Sequence, residues 1–176
     1  LKTSFLYDER GNLSKETTPW GQSTSYQYDI WNRPIKVTDY LGKSLRTTYG
    51  ANGSKYNIRS DSDDDSYTSE TYNALGWLLE SEASTALGAT AVRYEYDALG
   101  RTIGKSEPFA AGGSPQGWTR TEYDRYGRPV RVTTAHGKTI RTTYDGLKTT
   151  VDDGSKQITT TQNAIGKTIS QSDPGG

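Results

Sequence analysis

The 176-residue sequence contains no cysteine and no methionine, a single histidine and only two phenylalanines. Without cysteine there is no disulfide framework, no thiolate metal site and no cysteine nucleophile, and the chain suits a reducing or an oxidising compartment equally. His136 stands alone in a glycine-containing turn pattern, so neither a two-histidine metal site nor a histidine pair is available. Leu, Ile, Val and Phe total 26 residues, about 15% of the chain, below the roughly 20% that a core-building sequence usually reaches. No apolar run approaches the roughly 18 residues of a membrane span. Neither sign of charge is in excess, 21 Lys plus Arg against 21 Asp plus Glu, and no basic block would draw nucleic acid or an anionic membrane from a distance.

What the chain does have is 13 Tyr, four Trp and 25 Thr, residue types that favour extended, pleated backbone. Disordered chains combine low hydrophobicity with a large net charge and few aromatics, so this composition predicts an ordered β protein with polar faces. A repeat organises it. Starting points fall at Tyr7-Asp8, Tyr28-Asp29, Tyr49-Gly50, Tyr72-Asn73, Tyr96-Asp97, Tyr123-Asp124, Tyr144-Asp145 and, degenerately, Gln162-Asn163, with spacings of 21, 21, 23, 24, 27, 21 and 18 residues. Most are followed by a short turn holding glycine (Gly11, Gly76, Gly100, Gly127, Gly166) and often by a basic residue (Arg33, Arg101, Arg128).

Each unit reads as two strands and two turns. In residues 123–145, Val130 and Val132 alternate with Arg131 and Thr133, "AHGK" turns the chain back, and Ile140, Thr142 and Tyr144 share one face of the returning strand. The acid after the strand can hydrogen-bond the backbone of the turn, and the tyrosine offers a large ring with a polar tip to its cross-strand neighbours. The predicted fold is therefore all-β: a continuous antiparallel strip of β-hairpins, about sixteen short strands in a single array over residues 1–176, interrupted by irregular loops at 50–70 and 106–118. Open twisted sheets seldom exceed about ten strands, so a strip of this width is expected to curl.

"YDALGRTIGKSE", "YDRYGRPVRVTTAHGK" and "YDIWNRPIKVTDYLGK" closely resemble the YD repeats of the Rhs family, which also occur in the Tc toxin B and C components and in teneurins. The resemblance covers nearly the whole chain. It implies a hollow shell made by the spiralling strip, commonly enclosing a C-terminal toxin domain, in an exported or secreted bacterial protein. Its implied partners are the rest of the same polypeptide shell, the enclosed toxin and the components that deliver it. Leu1 at the start and the absence of a signal-peptide pattern read as a piece of a longer polypeptide. In this reading the tyrosine, acid, glycine and arginine of each unit are scaffolding, there is no catalytic residue, and no cofactor or metal is called for.

Other candidate chemistry is weaker than its structural explanation. "GKT" at 166–168 imitates the end of a phosphate-binding loop, but Thr161 stands where that loop's first glycine belongs. "DSDDDS" at 61–66 spaces its carboxylates like a calcium loop, yet Ser66 replaces the turn glycine and Tyr72 the closing glutamate; a solvated loop is expected, with weak calcium binding as the alternative. Asp173 in "SDPGG" invites assignment to the self-cleaving aspartate that closes shells of the Rhs family, but the internal echo "SEPFAAGG" explains it as an ordinary loop with proline and glycine as turn formers. Trp31 and Trp77 are candidate glycan contacts if their rings are exposed, which makes a carbohydrate-binding adhesion module the alternative function.

Overall fold

The computed structural model describes residues 1–173; the Pro174-Gly175-Gly176 part of the expected terminal turn lies outside them. The chain is all-β, and its strands form antiparallel ladders of successive hairpins. It divides into two compact units, Leu1–Ala91 and Val92–Gly176. A hairpin strip touches only its immediate neighbours, so it has no central cluster of long-range contacts to tie all its units into one.

In the first unit the strands are β1 (Ser4–Tyr7), β2 (Leu13–Thr17), β3 (Ser23–Tyr28), β4 (Pro34–Thr38), β5 (Ser44–Asn52), β6 (Lys55–Ser62), β7 (Tyr67–Asn73) and β8 (Leu78–Thr85). Each pairs with the next in chain order. β9 (Gly88–Tyr96) leads into the second unit, which contains β10 (Thr102–Ser106), β11 (Phe109–Ala110), β12 (Trp118–Tyr123), β13 (Pro129–Thr133), β14 (Thr139–Asp145), β15 (Lys148–Asp152), β16 (Gln157–Gln162) and β17 (Thr168–Ser172). There β9 pairs with β10, β10 with β12, and β12 to β17 in chain order.

Most hairpins close in one way. In the turn at 124–128, Gly127 N donates to the Asp124 carbonyl at 3.0 Å and Asp124 N to the Arg128 carbonyl at 2.9 Å. Gly127 carries φ +80°, which an L side chain adopts only with strain. Where glycine is missing from "YDIWNR", Asn32 takes the same conformation at φ 62°, because its short polar side chain tolerates the left-handed region. The extra residue shifts the register beside the turn, from Glu122↔Arg131 to Tyr123↔Pro129, so Tyr123, like Tyr7, Tyr28, Tyr72 and Tyr96, faces the residue just after its turn.

Residues 50–70 are not the irregular loop that the sequence suggested. β5 runs past Tyr49 to Asn52, a two-residue Gly53-Ser54 turn follows, and β6 pairs continuously with β5 and with β7. Gly50, where an acid would start the turn, lets the strand continue by three residues. Residues 106–118 likewise hold more order than expected: β11 lies within them, and Phe109 there is one of only two buried hydrophobic residues among those described, the other being Ala91. Elsewhere the faces alternate between exposed and half-buried; β14, for example, half-buries Ile140, Thr142 and Tyr144 and exposes Arg141 and Thr143. Burial is lateral, between neighbouring strands, with no dry interior.

Candidate functional site

The site that the sequence singles out is the tyrosine-acid-turn-arginine stitch. Its local half is the acid. Asp29 Oδ1 accepts the backbone N–H of Trp31 at 2.9 Å and of Arg33 at 3.0 Å, and Oδ2 accepts Arg33 Nε at 2.7 Å. Asp97 repeats this with Leu99 and Arg101, and Asp124 with Tyr126 and Arg128. Asp8 takes the N–H of Arg10 and Asn12 together with the Asn12 amide. Asn73 and Asn163 keep only the backbone pair, which shows that the turn needs the oxygen and not the charge. Asp39, on the opposite rim, makes the same two backbone bonds with Leu41 and Lys43. Sequence reasoning missed it because no tyrosine precedes it in the repeat frame, although "TDYLGK" contains the acid and glycine at the right spacing.

These bonds hold the carboxylates ionised. The Arg101 guanidinium, with backbone N–H groups, lowers the pKa of Asp97 below the ordinary carboxylate range, and the Asn12 amide does so for Asp8. At Asp29 and Asp124 desolvation is the largest influence and pulls upward, but the combined hydrogen bonds from Arg33 and Arg128 outweigh it. A general acid requires the reverse, a carboxyl raised toward neutral pH. The motif acids are turn acceptors, not proton donors.

The non-local half joins one unit to the next. The Tyr28 hydroxyl donates to the Leu13 carbonyl at 3.0 Å, Tyr49 to Pro34 at 2.9 Å, Tyr123 to Thr102 at 2.9 Å and Tyr144 to Pro129 at 3.0 Å. Leu13, Pro34, Thr102 and Pro129 are the residues that face the tyrosine of the preceding unit. Arginine completes the stitch: Arg33 lies 4.1 Å from the Tyr49 ring centroid, Arg101 4.8 Å from that of Tyr123 and Arg128 4.1 Å from that of Tyr144. Each such cation–ring contact contributes about 0.5–1 kcal/mol at a partly exposed position. Arg101 also donates to the Asp124 carbonyl at 3.2 Å, so one side chain holds its own turn, the next ring and the next turn.

Several positions depart from this scheme. Tyr72 stacks on Tyr56 at 5.0 Å and gives its hydroxyl to Glu70 at 2.6 Å, which pushes its pKa up to about 12. Asp145 is not a turn lock: it sits in β14 opposite Lys148 across a two-residue Gly146-Leu147 turn, too short for an acid to span. The acidic 61–66 segment is an ordered turn, with Asp65 at φ 63° and Asp63 accepting Ser44 N and Arg46. Among the described residues no group of three or more acids or histidines could hold a metal ion. "GKT" at 166–168 runs from a hairpin turn into β17. Trp31 is 69% exposed on its turn and beside Arg33, 4.8 Å from the ring centroid, whereas Trp77 is half-buried. The structure does not place the two in one recess: Trp31 shares a hollow of about 470 Å³ with Arg33, Tyr49, Tyr56 and Asn57, and Trp77 is outside it.

The stitch is periodic, and part of it matches a known repeat. Residues 7–44 match the RHS repeat. The Asp97 and Asp124 turns repeat the same bonding pattern beyond that match. No curated protein matches the sequence. Among solved structures the chain is similar to TcdB2-TccC3, with a TM-score of 0.59 and 14% identity over 97% of this chain and 14% of the other. It is also similar to the Tc holotoxin pore of Photorhabdus luminescens carrying TccC3-D651A, with a TM-score of 0.52 and 14% identity over 98% and 12% of the two chains. A third likeness is to TcdB2-TccC3-TEV, with a TM-score of 0.52 and 16% identity over 97% and 12%. At such identities the likeness is one of fold. The chain spans about one-seventh or less of the chains it resembles.

Proposed function

We propose that this RHS-repeat segment is a length of shell wall whose work is mechanical: to surround and insulate an effector domain of the same polypeptide before a bacterium delivers it. The observation that carries this reading is the stitch itself. It ties neighbouring units together through four tyrosine hydroxyls and three arginine–ring contacts, so a sheet of this kind needs no apolar core on its faces. A wall with semi-polar faces gives an enclosed, unfolded chain no apolar surface on which to condense. The carboxylates of Asp8, Asp29, Asp97 and Asp124 are consumed by turns and held ionised, which fits scaffolding and not turnover. The partners implied are the remainder of the shell, the enclosed domain and the delivery machinery.

The test is protection. In a polypeptide that carries these repeats upstream of a reporter enzyme, the reporter should be silent and resistant to protease until the repeats are unfolded. A reporter fully active and cleaved at the rate of the free enzyme refutes enclosure. A second reading, glycan adhesion, is favoured by the hollow at Trp31, Tyr49 and Tyr56. Binding to a glycan panel that Trp31→Ala abolishes and Trp77→Ala leaves intact would promote it over enclosure.

A further inference from the structure

Two stretches of the chain are nearly the same heptapeptide, Lys43-Ser44-Leu45-Arg46-Thr47-Thr48-Tyr49 entering β5 and Lys138-Thr139-Ile140-Arg141-Thr142-Thr143-Tyr144 entering β14. They fold alike. Each arginine faces a basic residue of the preceding strand, Lys36↔Arg46 and Arg131↔Arg141, and each hydroxyl pairs across the same strand, Ser44 with Thr38 at 3.0 Å and Thr139 with Thr133 at 3.4 Å. In both, the acid facing the arginine from the following strand is turned elsewhere: Asp61 accepts Arg59 Nε at 2.9 Å, and Asp152 accepts Gly154 N at 2.8 Å. The two differ in one group. Asp63 reaches back to the first stretch, its Oδ2 accepting Ser44 N at 2.6 Å and its Oδ1 accepting Arg46 Nη1 at 2.7 Å. Continuing the Arg141↔Asp152 register by two residues sets Gly154 opposite Thr139, where Asp63 stands opposite Ser44. Asp153 is no substitute, because Lys138 Nζ at 2.6 Å, Ser155 N at 3.0 Å and Lys156 N at 2.9 Å already occupy its oxygens. Arg141 therefore meets no carboxylate among the described residues, although it lies directly opposite another arginine, a pairing that repels.

We propose that the Thr139 N–H and the Arg141 guanidinium form a receptor for the carboxylate of an aspartate or glutamate on another polypeptide segment, seated as Asp63 is on Ser44 and Arg46. The proposal goes beyond the wall reading and does not rest on it. The chain supplies its own template, since the same residue types in the same register hold a carboxylate in one unit and are left without one in the other. The space is there: a β-carbon built on Gly154 meets nothing within 4 Å. A backbone N–H and a guanidinium bond the two oxygens of one carboxylate, and such charge-assisted bonds are stronger than neutral ones. At the filled site they favour the ionised form, since Arg46 first and then the Ser44 N–H lower the pKa of Asp63 below the ordinary carboxylate range, with Lys36 adding to the effect. Arg131 stands beside Arg141 as Lys36 stands beside Arg46 and keeps only an exposed pair with Glu122 at 3.2 Å. β14 is paired on both sides, by β13 and β15, so the receptor does not depend on an open sheet edge.

Nuclear magnetic resonance of the full chain reads both sites in one sample. A capped peptide with the sequence of residues 62–66, Ser-Asp-Asp-Asp-Ser, should shift the Thr139 amide and the Arg141 Nε–H progressively as it is added, and leave the Ser44 amide, whose site Asp63 fills, in place. The same peptide with asparagine for each aspartate should shift neither. Arg141→Gln should weaken the response about threefold, the share of one exposed ion pair. Asp63→Ala should open the first site, so that the Ser44 amide now responds to the acidic peptide as Thr139 does. A Thr139 shift no larger than that of other exposed amides, an equal response to the asparagine peptide, or a response indifferent to Arg141→Gln overturns the proposal. So does inorganic phosphate that shifts Thr139 where the acidic peptide does not, because the site then takes free anions. A Ser44 amide that stays silent in an Asp63→Ala chain whose other β5 amides keep their positions overturns the inference from one unit to the other.

Discussion

Replacing Tyr123 by phenylalanine removes one atom from the stitch and leaves the rest. The ring, its position against Arg101 at 4.8 Å and the Arg101 bond to Asp124 all survive, while the hydroxyl bond to the Thr102 carbonyl at 2.9 Å is lost. Thr102 is half-buried, so water can reach the vacated acceptor in part and the full penalty of an orphaned carbonyl does not apply. The expected cost is that of an ordinary hydrogen bond, about 1 kcal/mol. With a urea m-value of about 2 kcal/mol/M, this lowers the midpoint by about 0.5 M. The structure supplies the control, since Tyr7 has the same place in its unit but is exposed, with no acceptor among the described residues; Tyr7→Phe in this chain should leave the midpoint unchanged. Urea unfolding followed by circular dichroism reads the global shift, and amide exchange in β12 and β13 reads the local one. Equal shifts for the two substitutions, or none for Tyr123→Phe, would refute the stitch as a source of stability and leave tyrosine as filler.

The turn at 124–128 gives a second expectation: Gly127→Ala forces a β-carbon into φ +80° with no close neighbour to blame, so it should cost about 1–2 kcal/mol through backbone strain alone, while Asn32→Gly should change thermal stability little. Phe109→Ala removes one of the two buried hydrophobic residues and the ring that Arg93 approaches at 4.9 Å; a loss of about 3 kcal/mol, concentrated in the amides of β9 and β10, is expected. Acid should unfold the strip by way of the turns: the carboxyls of Asp8, Asp29, Asp97 and Asp124 titrate lower in the fold than their ordinary value near 3.8, so the stability they contribute is complete above that value and is lost as pH falls below it toward their folded pKa values. A thermal melting temperature that is flat from pH 5 down to pH 2 would contradict this.

How far the sequence discloses this arrangement depends on the range of the interaction. The Asp29 and Asp124 locks are legible because acceptor and donors lie within four residues and the glycine or asparagine at the fourth place announces the turn. The alternation of β14 is legible for the same reason. The Tyr144 bond to Pro129 is not, because it depends on a register shift of one residue beside a turn, which no periodicity reveals. Asp145 misleads: it matches the tyrosine-acid pattern, but Gly146 comes immediately after it instead of three residues on, and that difference selects a two-residue turn. Residues 50–70 looked irregular only because the frame assumed a turn after every tyrosine. Once Gly50 is allowed to continue the strand, Tyr49, Ile58 and Glu70 fall into consecutive register.

The same bonding explains why so few aliphatic residues suffice. In a layered domain, removing apolar area from water on two faces offsets the entropy of ordering the chain. Here each strand is ordered by two neighbours in its own plane, and the polar tips that would be costly inside a core are satisfied at the junctions. Arg101, for instance, meets Asp97, the Tyr123 ring and the Asp124 carbonyl without leaving the sheet. Stability is then additive along the strip and independent of what lies against its faces. A hydrophobic sheet would need a partner on one face and would compete for any unfolded chain placed there. The independence of this sheet from its faces, and not any reactive group, is what the proposed container role would require.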